Sequence, residues 1–140
     1  MMDTPEIIEA VSELIGRPYK SGSMGPDTFD CWGLLRHVQK LCFDREVQAI
    51  VPPEDESDLR ALVYFIKNHP EHQNWVKVAE PVHGGAVEMS SSSHPHHIGV
   101  YLDIDGGGIL HCSNAGVTFD RIFTLTVSGW RKMVYYDYAR

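Results

Sequence analysis

Cysteines are few in this sequence, and long apolar runs are missing from it. No apolar stretch approaches the roughly 20 residues of a membrane helix, so we expect neither a membrane span nor a membrane partner. The three cysteines, at positions 31, 42 and 112, are an odd number without the spacing of a disulfide framework. We therefore expect reduced thiols and a chain made in a reducing cytoplasm.

Basic residues are also scarce. The chain has 12 Lys and Arg against 19 Asp and Glu, which gives a formal net charge of −7. This balance argues against binding to nucleic acid, because no basic run offsets repulsion by phosphates. The start of the sequence, Met1 to Glu6, lacks the basic region and apolar core of a secretion signal, so we expect synthesis without one.

The remaining composition is that of a globular domain. With 140 residues and 43% apolar content, the chain can bury a core without crosslinks, and we predict one domain over residues 1–140. Apolar residues at helical spacing predict three helices in the first half. They cover about residues 4–15, 30–42 and 57–68.

The second half changes to short strand-like runs bounded by Gly, Pro, Ser or Asp. These runs cover residues 75–79, 86–90, 98–103, 108–113, 117–119 and 131–138. The segment Asp105-Gly106-Gly107-Gly108 predicts a hairpin between the third and fourth runs. Helices followed by antiparallel strands predict an α+β fold, with the second helix packed on a sheet of about five or six strands.

Cys31 follows a candidate N-cap, Asp30, and so falls in the first turn of the second helix. Unpaired N–H groups and the helix dipole favour a thiolate there, so we expect a lowered thiol pKa. Strand alternation lets His97 and His111 face the same way on neighbouring strands. This combination predicts a Cys31–His97–His111 catalytic triad, with no metal and no cofactor.

Each candidate also has a structural explanation. Cys31 could be a small core residue, His111 a hydrogen-bonded core group and Asp30 only a helix cap. Separately, the tract His94-Pro95-His96-His97, with His83 and His111, suggests a metal-binding module. Its adjacent histidines lack the spacing of a structural zinc site, so we favour solvated loop residues at His94 and His96.

Taken in order, these motifs resemble a known family. Pro18-Tyr19, Asp30-Cys31-Trp32-Gly33-Leu34, His97-Ile98-Gly99-Val100-Tyr101-Leu102 and Leu110-His111 look like the NlpC-type cell-wall cysteine peptidases of the papain-like superfamily. The resemblance implies a papain-like fold, Cys31 as nucleophile, His97 as base and His111 as orienter, with Tyr19 near the bound peptide. It also implies cleavage of peptidoglycan stem peptides, commonly between D-glutamate and the diamino acid.

One departure concerns the substrate. Many family members have serine after the cysteine, and that serine helps the preceding aspartate hold the free amine of the stem peptide. Here Asp30 is kept and Trp32 replaces the serine, so both are candidate substrate-binding residues.

The context of the chain resembles that of stand-alone members carried by phages. Trp32, the expected lack of a secretion signal and the closing Ser128-Gly129-Trp130-Arg131 segment support this resemblance. It implies phage tail proteins as partners and delivery to the cell wall or periplasm in a phage particle. The alternative function is a tail-assembly component of the same fold with little or no hydrolysis.

Overall fold

The structure is a computed structural model, and it describes residues 1–49, 73–92 and 97–139. Over these residues the chain forms three helices and six strands. The helices are α1 (Thr4–Leu14), α2 (Cys31–Phe43) and α3 (Ile122–Val127). The strands are β1 (Trp75–Val78), β2 (Ala86–Ser90), β3 (His97–Leu102), β4 (Gly108–Ser113), β5 (Gly116–Asp120) and β6 (Lys132–Tyr138).

Helix α1 is held at its start by a capping box. The Asp3 carboxylate accepts from the Glu6 N–H at 3.0 Å, and the Glu6 carboxylate accepts from the Asp3 N–H at 3.1 Å. One face of α1 buries Ile7, Val11 and Leu14, so the helix is amphipathic as its sequence spacing predicts.

All six strands pair antiparallel in a single sheet, in the order β1-β6-β2-β3-β4-β5. Strands β3 and β4 form the predicted hairpin. Its turn needs positive φ angles at Asp105 (50°), Gly106 (84°) and Gly107 (91°), which two glycines adopt at little cost. This hairpin places the strands that carry His97 and His111 side by side.

The two faces of the sheet pack against different elements. Helix α2 contacts β3 and β4 on the face that carries Ile98, Val100 and Leu110. The opposite face carries a smaller cluster in which Leu125 of α3 packs with Ile109 and neighbouring strand residues. His97 and His111 alternate with residues of the α2 face, so their side chains belong to the α3 face.

The outer edge of β5 pairs with the segment that follows α1. The Gly16 N–H donates to the Val117 carbonyl at 2.9 Å, and the Val117 N–H donates to the Arg17 carbonyl at 3.0 Å. At Gly116 a Cβ atom would lie 2.9 Å from the Arg17 carbonyl oxygen. The residue at this position must therefore be small for the two segments to approach.

The predicted α+β class, the first two helices and all six strands are confirmed. Helix α3 was not predicted, and the predicted helix at 57–68 lies outside the described residues. None of the helices seen in the described ranges combines the length and apolar character needed to span a bilayer.

Candidate active site

Cys31 is the first residue of α2, and Asp30 fixes the chain just before it. The two carboxylate oxygens of Asp30 accept from different backbone groups: Oδ1 from the Gly33 N–H at 2.6 Å and Oδ2 from the Gly22 N–H at 3.0 Å. Asp30 therefore caps the helix and also ties it to the preceding loop. Both interactions position the Cys31 backbone at the tip of the helix.

Gly33 allows that loop to lie directly against α2. A Cβ atom at Gly33 would stand 2.1 Å from the Ser23 carbonyl oxygen and 2.9 Å from the Met24 Cα atom. Glycine is a poor residue for a helix interior, so the close approach of two backbones explains its presence in the first turn. The contact holds the loop against the first turn of α2, which begins with Cys31.

His97 and His111 form a buried imidazole pair. Their side chains lie on one sheet face, and His97 Nε2 is 2.9 Å from His111 Nδ1. His111 lies opposite Gly99 in the β3–β4 register, and a Cβ atom there would stand 3.1 Å from the His111 Cβ atom. Because Gly99 has no side chain, the His111 ring can lean toward His97.

The pair continues onto β5 through residues that the sequence did not point to. Asp120 Oδ2 lies 2.9 Å from His111 Nε2 and accepts from the Thr118 hydroxyl at 2.8 Å. Thr118 is the register partner of His111, and Asp120 is the next residue on the same face. A row of polar side chains therefore crosses three strands, from His97 through His111 to Asp120.

Trp130 covers the other side of the His97 ring. The two rings are stacked with centroids 5.0 Å apart and planes 22° from parallel. The indole excludes water from one face of the imidazole and limits the orientations that the ring can adopt. Trp130 belongs to the segment between α3 and β6, which gives the unpredicted helix α3 a role in placing it.

The electrostatics around Cys31 oppose its ionisation. Burial raises the pKa of the thiol to about 12, and the neighbouring Asp30 carboxylate adds to the increase, although N–H groups of Ile98 and Trp32 act in the opposite direction. The prediction of a lowered pKa is therefore wrong for this arrangement. The effect of the helix terminus is outweighed because Cys31 is only 8% exposed and its thiol lies near the Asp30 carboxylate.

We therefore expect alkylation of Cys31 by iodoacetamide to be slower at pH 7 than alkylation of a free thiol with a pKa of about 8.5. The rate should keep rising beyond about pH 9, because only the thiolate reacts. Peptide mass spectrometry resolves Cys31 from Cys42, a buried thiol of the same helix whose pKa burial raises to about 11. Fast Cys31 labelling that levels off near about pH 6 would show a preformed thiolate instead.

The contact between Cys31 and Ile98 brings the helix tip to the start of β3. Ile98 directly follows His97, and its N–H donates toward the Cys31 sulfur. A thiol at the tip of a helix beside two neighbouring strands that carry a buried imidazole pair is the arrangement of a cysteine hydrolase of papain-like architecture. The NlpC/P60 family model matches residues 16–136.

The chain belongs to the NlpC/P60 family. NlpC/P60 proteins are cell-wall cysteine peptidases, and at that level the chain is one of them. Its structure is similar to a crystal structure of the NlpC/p60 domain of the peptidoglycan hydrolase SagA, with a TM-score of 0.55 and 17% sequence identity over 95% of this chain and 97% of that one. The comparison with curated proteins found no significant match.

The other predicted site residues of this NlpC/P60 chain have different surroundings. Tyr19 is 38% exposed on the loop before α2, and its backbone forms an isolated β-bridge with Phe29. The Trp32 indole is buried and donates from Nε1 to the Gln48 carbonyl at 2.8 Å, so its ring is held by the fold. Substrate binding by Tyr19, Asp30 and Trp32 stays a prediction.

The histidine tract of the suggested metal module lies only partly within the structure. His94 and His96 lie outside the described residues, and the His97 ring contacts His111 through Nε2. In residues 1–49, 73–92 and 97–139, no group of three or more His, Cys, Asp or Glu side chains is arranged to hold a metal ion.

Proposed function

We propose that this NlpC/P60 protein hydrolyses an amide bond in peptidoglycan stem peptides, with Cys31 as nucleophile, His97 as general base and His111 as the residue that orients His97. The observation that carries the proposal is the buried 2.9 Å contact between His97 Nε2 and His111 Nδ1. His97 directly precedes Ile98, whose N–H donates toward the Cys31 sulfur. Similarity to a peptidoglycan hydrolase domain supports the choice of substrate.

The first step follows from the raised pKa of the Cys31 thiol. Because the resting sulfur keeps its proton, His97 must remove that proton as the sulfur attacks the amide carbonyl. His97 Nε2 is engaged with His111, so Nδ1 is the nitrogen that takes the proton. A carbon–sulfur bond forms, and the carbonyl oxygen becomes an oxyanion.

The oxyanion needs hydrogen-bond donors beside the sulfur. The Cys31 N–H lies in the first turn of α2, where backbone N–H groups have no partner within the helix. We assign it to the oxyanion together with the Tyr19 hydroxyl on the adjacent loop. The Cys31 N–H lies at the helix tip that Asp30 caps, and Tyr19 lies on the loop that Asp30 joins to this helix.

The remaining steps return the enzyme to its starting state. The protonated His97 gives its proton to the leaving amine nitrogen as the carbon–nitrogen bond breaks, which leaves a thioester on Cys31. His97 then deprotonates a water molecule that attacks the thioester. The carbon–sulfur bond breaks, the acid product leaves, and the Cys31 sulfur takes the proton back from His97, which restores the thiol and the neutral base.

The preferred scissile bond is the one between D-glutamate and the diamino acid of the stem. Incubation of the purified protein with defined muropeptides, followed by liquid chromatography and mass spectrometry, tests both the reaction and the bond. We expect two fragments whose masses sum to the substrate plus one water molecule. If stem peptides stay intact between about pH 5 and pH 9, the hydrolase proposal fails.

A cut at another amide would retain the mechanism and change the specificity.

Phage tail partners and delivery by a phage particle stay predictions, as does the alternative of a tail-assembly component.

A further inference from the structure

The hydrogen-bond directions around His111 can be deduced from its neighbours on β5. Asp120 Oδ2 accepts from the Thr118 hydroxyl at 2.8 Å, and a hydroxyl has a single hydrogen to donate. With that hydrogen given to Asp120, the Thr118 oxygen, 3.3 Å from His111 Nε2, can only accept. Asp120 Oδ2, at 2.9 Å from the same nitrogen, also accepts. His111 Nε2 therefore faces two acceptors and must carry a proton.

This proton determines the state of the other nitrogens in the row. Burial lowers the pKa of His111, although Asp120 acts in the opposite direction, and a neutral imidazole carries one proton. With that proton on Nε2, His111 Nδ1 is an acceptor, and His97 Nε2 must donate to it across 2.9 Å. In neutral His97 the lone pair then lies on Nδ1, the nitrogen that a base for Cys31 requires.

We propose that Asp120 is a positioning residue that holds His111 in the Nε2–H tautomer and thereby makes His97 Nδ1 the base. The inference rests on the proposed function, because it assigns Asp120 a part in the activation of Cys31. Asp120 accepts no proton during the reaction. Because the Asp120 carboxylate can only accept, both hydrogen bonds of the row are donated toward it, from His97 to His111 and from His111 to Asp120. The carboxylate also stabilises the His97 imidazolium through His111.

The tautomer requirement explains why a carboxylate is needed here. If His111 carried its proton on Nδ1, it would donate to His97 Nε2 and leave the His97 proton on Nδ1. His97 could then no longer take a proton from Cys31. Asp120 is also not needed to neutralise Arg121, whose guanidinium lies 3.9 Å from the Asp105 carboxylate and donates to the carbonyls of Asp105 and Gly107.

The tautomer can be measured without activity. Nitrogen-15 NMR of the histidine side chains separates protonated from unprotonated ring nitrogens, and His111→Gln assigns the signals. We expect His111 and His97 in the unmodified protein to be neutral Nε2–H tautomers at about pH 7.5, above the ordinary histidine pKa. An Nδ1–H tautomer at His111 overturns the proposal, whether or not the protein is a peptidase.

The variant Asp120→Asn tests the link to catalysis, because its amide can either donate or accept. We expect a mixture of His111 tautomers and a decrease of about 10- to 100-fold in kcat/KM, mainly in kcat. Asp120→Glu should recover part of the activity by restoring an acceptor. The matched control is Asp105→Asn, the same change at an exposed carboxylate on the β3–β4 turn, and it should leave both readouts unchanged.

Two further results separate the possible failures. If Asp120→Asn does not fold, Thr118→Val removes the hydroxyl that orients Asp120 and should shift the tautomer in the same direction by a smaller amount. An Asp120→Asn protein with unchanged tautomers and unchanged kcat refutes the positioning role. If the unmodified protein shows the expected tautomers but cuts no stem peptide, the hydrolase proposal fails. The assignment of the protons on His97 and His111 then still stands.

Discussion

Cys31→Ala should reduce hydrolysis of the stem peptide by at least about 10⁴-fold. The change removes only a sulfur atom at the tip of α2, so the imidazole pair and the Asp30 cap should stay in place. With no atom available to form the thioester, the general base has no nucleophile to activate. Product release followed by chromatography under identical conditions measures the loss.

The matched control is Cys42→Ala, the same substitution on the same helix. Cys42 is fully buried in the core, and its replacement should cost about 1 kcal/mol of stability while leaving kcat near the parent value. Thermal unfolding of both variants checks that they are folded at the assay temperature. Full activity in folded Cys31→Ala would rule out the proposed nucleophile.

Gly33→Ala should destabilise the protein by at least about 3 kcal/mol. In an ordinary helix the same change stabilises by about 1 kcal/mol, because alanine is the better helix former. Here the new Cβ atom would stand 2.1 Å from the Ser23 carbonyl oxygen, which belongs to backbone and cannot rotate away. The loop must move, and the Gly22 N–H bond to Asp30 should weaken with it. Chemical denaturation of the variant and the parent measures the difference.

Gly16→Ala separates this collision from the conformational cost of losing a glycine. Gly16 has a φ of +87° but nothing within 4 Å of an added Cβ atom, so its replacement should cost only about 1 kcal/mol. If Gly33→Ala is no worse than Gly16→Ala, the loop does not depend on close contact with α2. A stabilised Gly33→Ala protein would refute the packing argument entirely.

The sequence predicted the helix that carries Cys31 and the strands that carry both histidines, because local signals define them. Asp30 is a strong N-cap, and the glycine run at 106–108 limits the connection between β3 and β4 to a tight turn. Strand alternation then placed His97 and His111 on one face, and their 2.9 Å contact confirms that prediction.

Asp120 and α3 were missed because their roles depend on tertiary contacts. Nothing in the sequence around Asp120 distinguishes it from other carboxylates, and its contact with His111 follows from the β4–β5 register. The α3 segment is rich in β-branched and aromatic residues, which favour strands. Burial of Leu125 and hydroxyl bonds from Thr126 and Ser128 to preceding carbonyls accompany its helical conformation.

The pKa of Cys31 could not be predicted from the sequence either, since the sequence shows the helix position but not the loss of solvent around the thiol.

The assignment of residues 1–140 to one domain stays a prediction.

The pairing of Gly16 and Arg17 with Val117 has a consequence for self-assembly. An uncovered strand at the border of a sheet can recruit a strand from a second molecule and start aggregation. At Val117 both backbone hydrogen-bonding groups are already occupied by the chain itself, so a foreign strand would first have to displace the connection after α1. The edge strand β5, which carries Thr118 and Asp120, is thus protected at Val117. We expect concentrated protein to resist the addition of a strand from another molecule at this residue.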